Sequence, residues 1–139
     1  MLTDPDCIFC KIVAGTMPSV NLYEDAETLA FMDINPVHDG HSLVIPKAHF
    51  ATVFVIAPDV VAAVARTTAI VATAVNAALQ PDGLNLVQSN GRGAAQSVDH
   101  FHMHVLPRHL DDHLPINWPL KPGDMAHIAD IAARIRARL

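Results

Sequence analysis

The run His100-Phe101-His102-Met103-His104-Val105-Leu106-Pro107-Arg108 constrains this chain more than any other stretch. Histidine and apolar residue alternate with period two, the signature of a strand with two unlike faces. Residues i, i+2 and i+4 of a strand point the same way. His100, His102 and His104 are therefore predicted on one face and Phe101, Met103 and Val105 on the other. Pro107 is compatible with the end of such a strand. The apolar face needs a core to cover it. The other face aligns three imidazoles, whose ordinary pKa lies near neutrality, and so makes a poor surface and a good reaction site.

A chain of 139 residues, 51% of them hydrophobic, has the length and composition for one domain spanning 1–139, and not for disorder. A formal net charge of −5 leaves no basic footprint for wrapping nucleic acid, although a few local donors can still hold one phosphate. The start, Met1-Leu2-Thr3-Asp4-Pro5-Asp6, lacks the charged and apolar regions of a secretory signal. Pro58, Asp59 and Arg66 interrupt the longest apolar run, so no membrane span is expected and the chain reads as cytoplasmic. In that reducing compartment Cys7 and Cys10 are expected as metal ligands or a redox pair rather than a structural disulfide.

Around the histidine run the spacing predicts a short helical turn within residues 5–14, then a break from Gly15 to Pro18. Strands follow at 20–24, 28–33 and 42–46. Pro58 suits a helix start, and Val60, Val64, Val71, Val75 and Leu79 repeat at helical spacing to about residue 80. That helix is apolar nearly all round, so in a small domain it needs a second surface. A homodimer interface would supply one; the alternative is that its alanines simply face water. A strand at 84–89 and a small-residue loop at 90–97 lead into the histidine run as an antiparallel hairpin. Residues 109–122 are irregular. Asp124 caps a terminal amphipathic helix carrying Met125, Ile128, Ile131, Ile135 and Leu139, with Arg134, Arg136 and Arg138 near its end. Strands and helices segregate, which predicts an α+β fold on an antiparallel sheet.

The histidines admit two chemistries. Two or three could hold a catalytic metal. Alternatively one acts as nucleophile or base while its neighbours orient it. The bland reading is an exposed strand. Cys7-x-x-Cys10 offers two thiolates, and zinc usually takes four ligands. With no further cysteine, two histidines would have to complete a closed site, His49 and one strand histidine being able to do so; free buried thiols are the alternative. The loop from Gly91 to Ser97 could cradle a phosphate or simply turn. Asp33, after an apolar strand, could take ribose hydroxyls or merely end the strand.

Together these residues resemble the histidine triad (HIT) family of nucleotide hydrolases and transferases. The signature His-x-His-x-His-x-x stands at residues 100–106, preceded by Gln96-Ser97-Val98. Upstream, Cys7-Ile8-Phe9-Cys10-Lys11-Ile12, Leu29-Ala30-Phe31-Met32-Asp33-Ile34 and Gly40-His41-Ser42-Leu43-Val44-Ile45-Pro46-Lys47 extend the likeness over residues 6–108. The resemblance implies a homodimer with a five-stranded antiparallel sheet, one long helix and a C-terminal helix in each subunit, and a pocket for a purine nucleoside monophosphate. It implies His102 as the nucleophile on the α-phosphorus, giving a covalent nucleotidyl-histidine, with His104 and His100 as the flanking triad members and Ser97 assisting the leaving group. Asn90, Gln96, Ser97 and Val98 would hold phosphate and sugar, and Asp33 the ribose. Ile8, Phe9, Ile12, Phe31 and Ile34 would clamp the base, with His41 supporting the triad. Members with Cys-x-x-Cys near the start resemble zinc binders, which implies one structural Zn2+ per chain on Cys7, Cys10, His49 and His100. Ala95 departs from the family's usual glycine and Asp99 from its usual aromatic or basic residue. Residues 109–139, Trp118 included, resemble the variable segment that tunes substrate choice. The implied activity is hydrolysis of a purine nucleoside phosphoramidate. Hydrolysis of a dinucleoside polyphosphate and a binding module with little turnover are the alternatives. A metal-dependent hydrolase with the metal on the histidine strand is a third.

Overall fold

A computed structural model describes residues 1–139. Five strands form one antiparallel sheet: β1 (Asn21–Glu24), β2 (Thr28–Met32), β3 (Ser42–Pro46), β4 (Gly83–Gln88) and β5 (Met103–Arg108), in the order β1-β2-β3-β5-β4. Helices α1 (Ile8–Val13) and α2 (Pro58–Leu79) lie on opposite faces of it, and α3 (Met125–Arg136) follows the last strand. The α+β class and the five-stranded sheet expected from the sequence are thus present.

The two faces follow from side-chain alternation. Ala30, Val44, Phe101 and Val105 turn toward α2 and meet Val64, Val71 and Val75. Leu29, Phe31, Leu43 and Ile45 turn the other way, onto Phe9, Cys7 and Cys10 at α1. Full burial of a side chain such as Phe101 contributes about 3 kcal/mol. One polar pair lies inside the α2 contact: Thr28 and Thr67 share a hydrogen bond of 2.7 Å between their hydroxyls, so neither is left unsatisfied.

Three expectations change. The histidine strand begins at Met103, not His100. β3 pairs with β5 only through Ser42, Leu43 and Val44. Beyond that, Phe101 N–H donates to Phe50 O at 2.6 Å, and the carbonyl of Pro46 accepts from the His100 ring at 2.9 Å. The period-two alternation continues through this extended lead-in without ladder pairing. Second, Pro58–Leu79 is long and apolar enough by composition to cross a membrane, with mean hydropathy 1.6 over its 18-residue window, contrary to the expectation that Asp59 and Arg66 interrupt it too strongly. Here it covers the sheet, burying Ala63, Val64, Thr67, Thr68, Val71 and Val75, while Ile70 and several alanines face outward. Third, α3 stops at Arg136 and buries no residue, although Asp124 caps it by accepting from Ala126 N–H at 3.0 Å.

Candidate active site

Helix α1, the turn after it, the end of β2 and the start of β5 enclose a cleft of about 440 Å³. Ile8, Phe9 and Ile12 line it from α1, Phe31 and Leu43 from the sheet, and Ile34 stands at its mouth. Phe9 meets both Phe31 and His102 edge to face, at ring-centre distances of 5.4 and 5.3 Å. The walls are therefore apolar and flat, suited to an aromatic base. The polar end holds Asp33, Ser97, Val98, His102 and His104. The expected clamp residues thus converge here with His102 and His104, whereas His100 turns away and His41 stands behind His104. Met17, Pro18, Ser19, Met32, Asn35 and Leu43 also line the cleft, unforeseen from the sequence. Leu43 arrives there as the cross-strand partner of His104, a pairing set by the sheet order. Residues 17–19 read only as the stop after α1.

Asn90 and Gln96 do not reach the cleft. The Asn90 side-chain oxygen accepts from Val53 N–H at 2.7 Å, and its amide is paired with Gln88. The Gln96 amide donates to Ala51 O at 2.7 Å and Val98 O at 3.0 Å, while its oxygen accepts from Gly91 N–H at 2.7 Å. These side chains brace the loop that presents Ser97. In that loop Ala95 sits at φ 57°, a left-handed conformation that explains the preference for glycine there.

Hydrogen-bond partners assign the tautomers of the histidines. The His100 carbonyl can only accept, so His102 Nδ1, 2.6 Å away, carries a proton and Nε2 keeps its lone pair. His41 Nδ1 accepts from Val37 N–H at 3.2 Å, which puts the proton of the neutral ring on Nε2. That Nε2–H lies 2.9 Å from His104 Nδ1 and 3.3 Å from Asp33 Oδ2. His104 thus accepts at Nδ1 and has its proton on Nε2. Burial keeps these rings neutral. It lowers His102 against the opposing pull of the His100 carbonyl and Asp33. It takes His104 down to about 4, helped by His102 and His41. It lowers His41 although Asp33 opposes it. The cleft therefore holds a free imidazole lone pair and, on a ring centred 4.9 Å away, an imidazole N–H donor.

The fourth histidine environment is different. Cys7 Sγ and Cys10 Sγ lie 3.4 and 3.7 Å from His100 Nδ1, and Cys10 Sγ lies 3.4 Å from His49 Nδ1. A tetrahedral zinc with bonds of about 2.3 Å to sulfur and 2.0–2.1 Å to nitrogen would set sulfur and nitrogen about 3.5 Å apart, so the four groups fit that ion. The outer partners fit as well. His100 Nε2 donates to Pro46 O, freeing Nδ1, and Asp4 Oδ2 lies 3.9 Å from His49 Nε2. Cys10 N–H donates to Cys7 Sγ across the first turn of α1. Asp33, His41 and His104 form a second close grouping. There the single proton of neutral His41 already points at His104, so that grouping is a hydrogen-bond relay and not a metal seat.

An antiparallel sheet thus delivers a histidine lone pair and a histidine N–H donor to an apolar cleft, the arrangement of a histidine triad protein. Residues 14–111 match the HIT domain, and the chain belongs to that family. It is 38% identical to an adenosine 5'-monophosphoramidase of Schizosaccharomyces pombe over 134 residues, covering 96% of this chain and 98% of that one. It superposes on a HIT family protein of Bacillus anthracis with a TM-score of 0.91 at 36% identity, covering 99% of each chain. A Zn-bound histidine triad family protein of Mycobacterium smegmatis superposes with a TM-score of 0.75 at 34% identity, covering 96% of this chain and 98% of that one.

Proposed function

We propose that this chain hydrolyses purine nucleoside phosphoramidates through a nucleotidyl-histidine intermediate. The observation that carries the reading is the pair of opposed tautomers, with His102 Nε2 free to attack and His104 Nε2–H free to donate, at the polar end of an apolar cleft. The base lies between Ile8, Phe9, Ile12, Phe31 and Ile34, and Asp33 takes the ribose hydroxyls. His102 Nε2 attacks the α-phosphorus while the P–N bond breaks. His104 donates to the phosphate oxygens, and Ser97 hands its hydroxyl proton to the leaving nitrogen and recovers one from the water that attacks next. The imidazolium formed at His102 is stabilised by its Nδ1–H bond to the His100 carbonyl. Water then attacks the phosphorus and releases the nucleoside monophosphate. Asn90 and Gln96 contribute through the loop they brace. The S. pombe relative, named for adenosine 5'-monophosphoramidase activity, supports this substrate class.

Zinc on Cys7, Cys10, His49 and His100 has a structural role in this reading. It ties the N-terminal segment to the residues just before β5 and leaves His102 free. Thiols kept reduced for that ion agree with a cytoplasmic setting. The outward face of α2 and the uncovered edge of β4 form the interface of a homodimer. Hydrolysis of adenosine 5'-phosphoramidate is the direct test. His102→Ala should lower kcat at least 1000-fold while AMP still binds; turnover within tenfold of the wild type would rule out the covalent route.

A further inference from the structure

We infer that Asp112 and His38 act as a positioning pair that holds the His41–His104 relay in its working tautomer, an inference that rests on the proposed nucleotidyl transfer. Residues 33–41 supply the site with three things: the Asp33 carboxylate, the Val37 N–H and the His41 ring. Internal hydrogen bonds close this loop, from Asp33 N–H to His41 O at 3.0 Å and from His41 N–H to His38 O at 3.1 Å. Besides His41 itself, which meets His104, a loop side chain that reaches another segment is His38. The Nε2 atom of His38 is buried and makes no aligned hydrogen bond, and Asp112 Oδ2 lies 3.2 Å from it. The His38 ring also stands edge to face against His109, 5.4 Å between centres.

Asp112 is a fixed point. Arg108 grips both its oxygens at 2.7 and 2.9 Å, and the N–H groups of His109 and Leu114 donate to it at 2.9 and 3.0 Å. Arg108 in turn reaches Asn85 on β4 at 2.7 Å. The carboxylate is thus locked to the ends of two strands, and its charge faces the buried nitrogen of His38. Which ring nitrogen of a histidine carries the proton is set by the partner of the other one. If the turn around His38 shifts, Val37 N–H leaves His41 Nδ1, the two His41 tautomers approach equal energy, and His104 loses its fixed donor direction. Asp112 lies in the segment that follows β5, one residue beyond the matched HIT domain, so the relay leans on that segment.

The test uses 15N-histidine-labelled full chain and long-range imidazole correlation spectra at pH 7, alongside kcat and KM for adenosine 5'-phosphoramidate. Wild type should show single tautomers, with His41 and His104 both protonated on Nε2. In His38→Ala, which leaves the Arg108–Asp112 pair intact, both rings should spread over two tautomers. In the same variant kcat should fall about tenfold with KM within twofold. His38→Gln, whose amide can reach Asp112, should recover part of both signals. Wild-type tautomers in His38→Ala, or altered tautomers with unchanged kcat, would overturn the inference. If the wild type does not turn over the phosphoramidate, the functional reading fails, and the tautomers alone decide the positioning role.

Discussion

Burial gives the reactive histidines their protonation states, and this sets the pH at which each works. His102 must be neutral to attack, and burial lowers its pKa below the ordinary 6.5 of histidine. His104 is taken down to about 4 by burial and by its neighbours His102 and His41. The acid limb of kcat/KM is therefore expected below pH 6.5, and a limb at or above 6.5 would contradict the buried, neutral site. Stability follows the same sign. In the unfolded chain His104 takes up its proton near 6.5, whereas in the folded chain it resists until about 4. The folded state then binds fewer protons, so stability falls as pH drops from 6.5 toward 4 and is unaffected above that window. At this scale the sequence was informative about which residues converge and silent about how they are wired. Alternation placed His102 and His104 on one face. The carbonyl of His100 and the N–H of Val37, which fix the tautomers, are backbone groups without a sequence signature.

The element carrying the histidines was legible as extended chain but not as strand throughout. Period two survives from His100 to Val105, because Phe101 and Val105 must still reach α2. Ladder pairing ends earlier, because His100 uses its ring on the Pro46 carbonyl at the end of β3. The same ring presents Nδ1 to Cys7 and Cys10 at the start of α1, so two elements far apart in sequence meet at one histidine. Cys-x-x-Cys spacing alone left a redox pair open; the 3.4 Å approaches of Cys7 to His100 and of Cys10 to His49 favour a metal seat. Elemental analysis of purified protein should find about one zinc per chain, and Cys7→Ser should lose it. None of the four ligands lines the cleft, so Cys7→Ser measured well below its melting temperature should keep AMP binding. Loss of all hydrolysis on chelation, with the fold intact, would instead make the metal catalytic.

At the scale of the whole molecule, one sheet separates two tasks. The α2 face supplies the larger core, and the α1 face supplies the cleft and the zinc ligands. Composition alone could not separate a core helix from a membrane span in Pro58–Leu79; the burial of Val64, Val71 and Val75 against the sheet shows its use in this fold. Its outward residues, with Ile70 about half exposed, leave the surface on which the homodimer proposal rests. Sedimentation at micromolar concentration should give twice the chain mass of 15.0 kDa, and a monomer there would end that proposal. The C-terminal segment was legible as a capped amphipathic helix, but its tie to the site through Asp112 depends on a tertiary contact with His38 that no spacing announces.

The central claim is that His102 Nε2 becomes bonded to the α-phosphorus. Wild-type protein mixed with adenosine 5'-phosphoramidate, quenched in the first turnover under alkaline conditions that preserve phosphorus–nitrogen bonds, and digested for mass spectrometry tests it most directly. An adenylyl group on the peptide bearing residues 100–104, absent in His102→Ala, is the predicted result. Product formed at the wild-type rate with no adduct, or with the adduct on another residue, would contradict it.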